Sequence, residues 1–212
     1  MMAISDEGLG LRERKRLRTR LTIARAALEL FDRQGFHETP IAQIAEAADV
    51  SPRTVSGYFP HKEDLVFPDS EEAFQSLDQR LRERPPEETA ADALRGWIES
   101  WVGEQAGLEE EQKLRRRIVA ADEGLRAYEH RLMLRAQDAI AAAIARDLGV
   151  AATDLEPRMA AAATVTIFEL LGQVLEPICD PGDEPRPRAE ALEVVDRALL
   201  FIGAGIRALR AG

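Results

Sequence analysis

From Leu17 to Phe31 the apolar residues Leu17, Leu21, Ala24, Leu28 and Phe31 recur three and four apart, widened by Ile23, Ala27 and Leu30. That period belongs to an amphipathic helix with a broad buried stripe. Gly35 follows the last periodic position, where a left-handed C-terminal residue costs glycine little. A second helix is predicted after Thr39-Pro40, on Ile41, Ile44, Ala45 and Ala48. Threonine is a good N-cap there, and proline fits a first helical position whose N–H would have no partner anyway. The device recurs at Ser51-Pro52, which opens a third short helix turning Val55 and Phe59 inward. Two helices of about two turns, joined by the tight stretch Ala48-Asp49-Val50, make a helix-turn-helix.

The remaining chain also reads as helices. Glu63 and Asp64 suit the positive end of a fourth helix starting near Lys62, which Pro68 interrupts or replaces with a new segment at Asp69-Ser70. Pro85-Pro86 closes the helix running through Leu81, and the next carries Leu94, Trp97, Ile98 and Trp101. The charged stretch Glu109 to Arg117 leads into Ile118. A long helix then bears Leu125, Tyr128, Leu132, Ala136, Ala139, Ile140, Ala143 and Ile144 and ends near Gly149. Two more are predicted from Leu155 to Leu175 and from Arg188 to Leu209, separated by Pro177, Pro181, Gly182, Pro185 and Pro187. The pattern is all-α, with about nine helices: an N-terminal three-helix domain and a larger C-terminal helical domain.

The helix from Met159 to Leu175 is apolar on nearly every side, and the last helix is rich in apolar residues at Leu192, Val194, Val195, Leu199, Leu200, Phe201, Ile202 and Ile206. A helix apolar all round must be covered on both sides. Pairing both helices with their symmetry mates in a four-helix bundle covers them; the competing account is an ordinary monomeric core.

Charge changes this picture. The 212 residues carry a net charge of -10, which argues against a polyanionic partner. Its distribution reverses that: residues 1–62 hold ten Lys/Arg against eight Asp/Glu, and the rest hold eighteen against thirty. Arg12, Arg14, Lys15, Arg16, Arg18 and Arg20 cluster around Glu13 alone. A basic cluster on an acidic protein is a localised footprint for nucleic acid, and the acidic remainder disfavours other orientations. Residues 1–18 read as a flexible basic arm that follows phosphates, enters a minor groove or orders only on DNA.

The third helix is too short to stand alone. It leaves Arg53, Thr54, Gly57 and Tyr58 on its open side, which suits a major groove. Arg53 can donate to guanine or phosphate, Thr54 can touch a thymine methyl or phosphate, and Tyr58 can bond a phosphate. Lys62 gains nothing from a helix N-terminus, so its charge points to an external phosphate. Ser51, Arg18 and Arg20 complete the candidate contacts. Gly57 either admits a close backbone or weakens the helix by about 1 kcal/mol relative to alanine.

Catalytic chemistry is not expected. Cys179 stands alone, His37, His61 and His130 lack metal-ligand spacing, and no phosphate loop occurs. No cofactor or metal is expected. No run reaches the roughly 18 apolar residues of a membrane span, and Met1 to Gly10 lacks a signal-peptide core, so a cytoplasmic protein without a membrane partner is expected.

The stretch Arg20 to Leu65 resembles the DNA-binding domain of TetR-family repressors. The resemblance rests on Ile23, Ala26-Ala27, Leu30-Phe31, Gly35, Thr39, Ile44-Ala45, Ala48, Val50-Ser51, Thr54, Tyr58-Phe59 and Lys62-Glu63-Asp64-Leu65. It implies DNA contacts from Arg53, Thr54, Tyr58 and Lys62, with Thr39 at a phosphate-facing helix start. Ser56 and Gly57 depart from the larger residues common in relatives. The implied organisation is an arm (1–18), a helix-turn-helix domain (19–65) and a ligand-sensing and dimerisation domain (66–212). The expected function is a homodimeric repressor on a palindromic operator, released by a small-molecule effector; the competing reading is a helical adaptor whose helix-turn-helix contacts protein. Trp97, Trp101, Tyr128 and Phe168 line either a ligand pocket or the core. Glu169 orients a ligand, makes a polar contact at the dimer interface or faces water.

Overall fold

A computed structural model describes residues 10–104, 109–174 and 188–211. Among them are nine α-helices and no strand: α1 (Leu11–Gln34), α2 (Ile41–Ala47), α3 (Pro52–Tyr58), α4 (Ser70–Arg82), α5 (Ala90–Glu104), α6 (Glu109–Ala121), α7 (Glu123–Leu148), α8 (Leu155–Val174) and α9 (Arg188–Ala211). A 3-10 turn occupies Lys62–Leu65 between α3 and α4. The all-α expectation holds. The proline-rich loop between α8 and α9, with Cys179, lies outside the described residues.

Three element boundaries differ from the expectation. α1 begins at Leu11, six residues before the apolar period, so Arg12 to Arg18 ride on a helix and not on a flexible arm. Lys62 starts only a 3-10 turn, and the α-helix after it starts at Ser70, beyond Pro68, which cannot supply a helical N–H. The charged stretch from Glu109 is itself helical as part of α6.

The chain forms two compact units. The first comprises residues 1–73 and 102–131, so the division does not fall at the expected 65/66 boundary. Its core joins Ile23, Ala27, Leu28 and Phe31 of α1 to Ile44 of α2, Val55 of α3, Phe59 and Leu65. Ile118 and Val119 of α6 and Leu125 of α7 belong to the same core, with Leu114 packed against it. The helix-turn-helix thus takes part of its core from residues fifty or more positions downstream, a contact that no local period announces.

The turn between α2 and α3 is set by backbone hydrogen bonds. Val50 N–H donates to Ala45 O (2.9 Å) and Asp49 N–H to Glu46 O (3.1 Å), closing α2 with two successive caps. Asp49 takes φ +54°, a left-handed setting that aspartate tolerates better than most side chains.

The second unit comprises residues 74–101 and 132–212. Its α4–α5 corner, at Pro85-Pro86, is fastened to α7 by Arg84. The guanidinium donates to Leu81 O (2.9 Å), Glu88 O (3.1 Å) and Ala143 O (3.0 Å), and pairs with Asp147. The other Asp147 oxygen accepts from Ala90 N–H at 2.7 Å, capping α5. Arg80 and Glu88 form a bidentate pair beside it, and Arg80 holds the Glu88 carboxyl below the usual range.

Candidate nucleic-acid interface

α3 is built to present one side. Its N-cap is Ser51, whose hydroxyl accepts from Thr54 N–H at 3.0 Å and sits 2.8 Å from the Thr54 hydroxyl. Pro52 follows as the first helical residue. Val55 and Phe59 point into the core, while Arg53, Ser56 and Gly57 are exposed and Thr54 and Tyr58 are half-buried. Arg53 has no hydrogen-bond or ion-pair partner among the described residues. A guanidinium held out on a fixed helix with nothing to neutralise it has the chemistry to bond a base edge or a phosphate.

A Cβ added at Gly57 would meet nothing within 4 Å, so internal packing does not demand glycine here. Gly57→Ala is therefore expected to raise stability by up to about 1 kcal/mol through helix propensity. Thermal unfolding checks it; a lower midpoint would contradict the open setting.

Beside α3 runs the N-terminal half of α1. An open cleft of about 730 Å³ lies between them, lined by Arg12, Glu13, Lys15, Arg16 and Thr19 of α1 and by Thr54, Gly57 and Tyr58 of α3. Glu13 also turns back to accept from Gly10 N–H at 3.1 Å. Arg18 is exposed but does not line the cleft.

Three expected contacts point inward instead. Arg20 donates to Tyr58 O at 3.2 Å and to Pro68 O, lies 4.8 Å from the Phe59 ring centre and reaches Glu72 at 3.6 Å. It is a strut from α1 to the end of α3 and the start of α4, and is not placed to meet a phosphate. Thr39 is fully buried: its hydroxyl donates to Gly35 O at 2.7 Å and accepts from Gln34 Nε2 at 3.1 Å. The N-cap of α2 is Pro40, so the phosphate-facing role expected for Thr39 is corrected. Lys62 donates to the carbonyls of Phe36 and His37, just past α1, with Nζ 4.6 Å from the Phe36 ring centre. Burial lowers its pKa, with Glu63, Glu38 and Asp122 acting in the opposite direction. Its charge has an internal explanation, and an external phosphate is not needed.

Of the residues expected to line a pocket, three fall in the described residues and divide between the two units. Tyr128 belongs to the first unit, where it stacks on Phe67 (ring centres 5.8 Å apart) and donates to Asp64 Oδ1 at 2.5 Å. Burial and then Asp64 push its pKa up to about 12. Asp64 Oδ2 accepts from His61 N–H at 2.8 Å, so one carboxylate ties the start of the 3-10 turn to α7. Trp97 and Trp101 lie in the second unit, stacked with centres 6.2 Å apart, and Trp97 Nε1 donates to Ser76 Oγ at 3.2 Å. The Phe168 and Glu169 side chains lie outside the described residues. Among the described residues no group of three His, Cys, Asp or Glu side chains is placed to hold a metal, and no helix is long and apolar enough to cross a membrane.

Comparison with known proteins adds to this geometry. Residues 23–67 match the family described as bacterial regulatory proteins, tetR family. The chain is 37% identical over 99 residues to the HTH-type transcriptional regulator TcmR of Streptomyces glaucescens, covering 47% of this chain and 44% of that relative. The match thus spans less than half the relative's length. Among solved structures, Thermus thermophilus FadR, a TetR-family transcriptional repressor in complex with lauroyl-CoA, superposes with a TM-score of 0.56 at 22% identity, covering 88% of this chain and 94% of FadR. Salmonella enterica GusR superposes with a TM-score of 0.57 at 20% identity, covering 90% of this chain and 96% of GusR. At these identities the two structures share the fold.

Proposed function

We propose, from the premise that this chain belongs to the TetR family, that it binds a palindromic operator as a symmetric dimer and leaves it when a small molecule occupies the C-terminal unit. The observation that carries the proposal is α3, with Val55 and Phe59 buried, the unpartnered Arg53 exposed, and a basic cleft alongside. A short helix held from behind by its neighbours, with its polar side outward, is what a major groove admits. Arg53 takes the base-reading role, and Ser51, Thr54 and Tyr58 adjoin the backbone.

Dimerisation through α8 and α9 is supported by what they leave uncovered. Along α9 the exposed positions Arg197, Leu200, Phe201, Ala204, Gly205 and Ala208 recur at helical spacing, with Leu200 and Phe201 exposed by 66% and 75%. On α8, Leu155 and Met159 are exposed by 67% and 60%. Large apolar side chains recurring on packed helices favour a second copy, and the small residues permit close approach.

The ligand half of the proposal draws on the fold shared with FadR, whose structure holds an acyl-CoA. In this chain the stacked Trp97 and Trp101 offer an aromatic surface to a ligand in the second unit. α4, α5 and α7 each contribute residues to both units, and they are the elements assigned to carry ligand occupancy of the second to DNA affinity in the first. Coupling of this kind typically changes affinity by about 5- to 150-fold.

Selection of bound duplexes from a random pool tests the DNA half. The expected motif is an inverted repeat whose half-sites lie about 34 Å apart, or a multiple of it. Recovery of no motif, or of a single asymmetric half-site, would overturn the reading.

A further inference from the structure

We propose that the N-terminal half of α1 is a second DNA-binding wall, in which Arg12, Lys15 and Arg16 grip the same phosphodiester strand that passes Thr54, Gly57 and Tyr58 of α3. The inference rests on the operator-binding reading and adds to it contacts from outside the helix-turn-helix. Arg12, Lys15, Arg16 and Thr19 stand at i, i+3, i+4 and i+7, which places them on one face of a helix. That face forms one side of the open cleft whose other side is α3.

The local energetics point to a missing polyanion. Arg12, Arg14, Lys15 and Arg16 are all exposed, and Leu11 is exposed by 64%, so this end of α1 has no buried stripe to hold it. Arg12 and Arg16 are like charges one turn apart, which costs an isolated helix about 0.2–0.5 kcal/mol per pair. The lining carboxylate, Glu13, is engaged with Gly10 N–H and offsets one of the three cations. A phosphate strand removes the repulsion, and a localised cation row on a chain of net charge -10 is a footprint for such a polyanion. Arg12 and Arg16 lie about 6 Å apart along the axis, a separation that lets them meet neighbouring phosphates of one strand. Gly57, with open space where its Cβ would be, lets that strand approach the α3 backbone.

The test measures affinity against salt for the full chain on the selected operator and on a mixed-sequence duplex. It compares the parent with Arg12→Ala/Lys15→Ala/Arg16→Ala, with Arg12→Lys/Arg16→Lys, and with Arg53→Ala. Each lost phosphate contact lowers the slope of log affinity against log salt by about 0.9, so six contacts in a dimer lower it by about 5. The triple alanine variant is expected to show that drop on both duplexes while keeping the operator preference. The lysine variant keeps the slope, because a point charge suffices for a phosphate. Arg53→Ala does the opposite, losing preference while largely keeping the slope. An unchanged slope in the triple variant would overturn this inference and leave operator binding standing. Failure of the parent chain to bind either duplex would overturn both.

Discussion

Asp147→Ala is expected to destabilise the C-terminal unit by about 3–5 kcal/mol, because it strands a buried guanidinium. Arg84 and Asp147 side chains are only 7% and 10% exposed. Three carbonyls also hold Arg84 in place, so it cannot swing out to water when its carboxylate is gone. The substitution also frees Ala90 N–H at the start of α5, adding the cost of a lost cap. Replacing both partners with apolar residues of similar volume is expected to recover much of the loss, since neither charge is then left alone. Urea unfolding at fixed protein concentration measures both, the concentration being held because dimer stability depends on it. A single variant within about 0.5 kcal/mol of the parent, the ordinary range for surface changes, would show that water reaches the pair.

The second large effect is on assembly. Phe201→Asp is expected to give a folded single subunit, because it puts a charge where the proposed dimer brings two copies of α9 together. Operator affinity is expected to fall by about 100- to 10,000-fold, the range lost when two linked binding heads become independent. Phe201 is the most exposed of the large apolar side chains described, so the change removes little from the core of one subunit. Sedimentation and a gel-shift titration on the same sample read the two quantities together. A monomer that kept full affinity would break the link between them; a variant that stayed dimeric would place the interface elsewhere.

The helices of the reading head were legible because local devices mark them. Proline at Pro40 and Pro52, the Ser51 cap and the positive-φ Gly35 stand at the ends of apolar periods, and the structure puts helix ends there. The first six residues of α1 were not legible, because Leu11 to Arg16 show little of the stripe that reveals a helix; the segment continues a helix buried further on. Charged and polar residues were legible as candidates but not as roles. Arg20 and Lys62 satisfy carbonyls up to 48 positions away, and Thr39 bonds the end of α1, none of which leaves a trace in spacing. Arg53, with no such internal task, kept its expected exposed place. Tyr128 shares a helix with residues of both units, and only the fold decides that its ring meets Phe67 and Asp64. The Arg84–Asp147 pair was missed altogether; its one signal was an arginine directly before Pro85-Pro86, which is too common to read.

Sedimentation of the purified chain, alone and with the selected inverted-repeat duplex at low salt, tests the central claim most directly. Two chains before DNA is added and two chains per duplex afterwards are predicted, with Arg53→Ala still paired but held no more tightly by the selected duplex than by a mixed-sequence one. A single chain in both samples, or an Arg53→Ala protein retained as tightly as the parent, would contradict it.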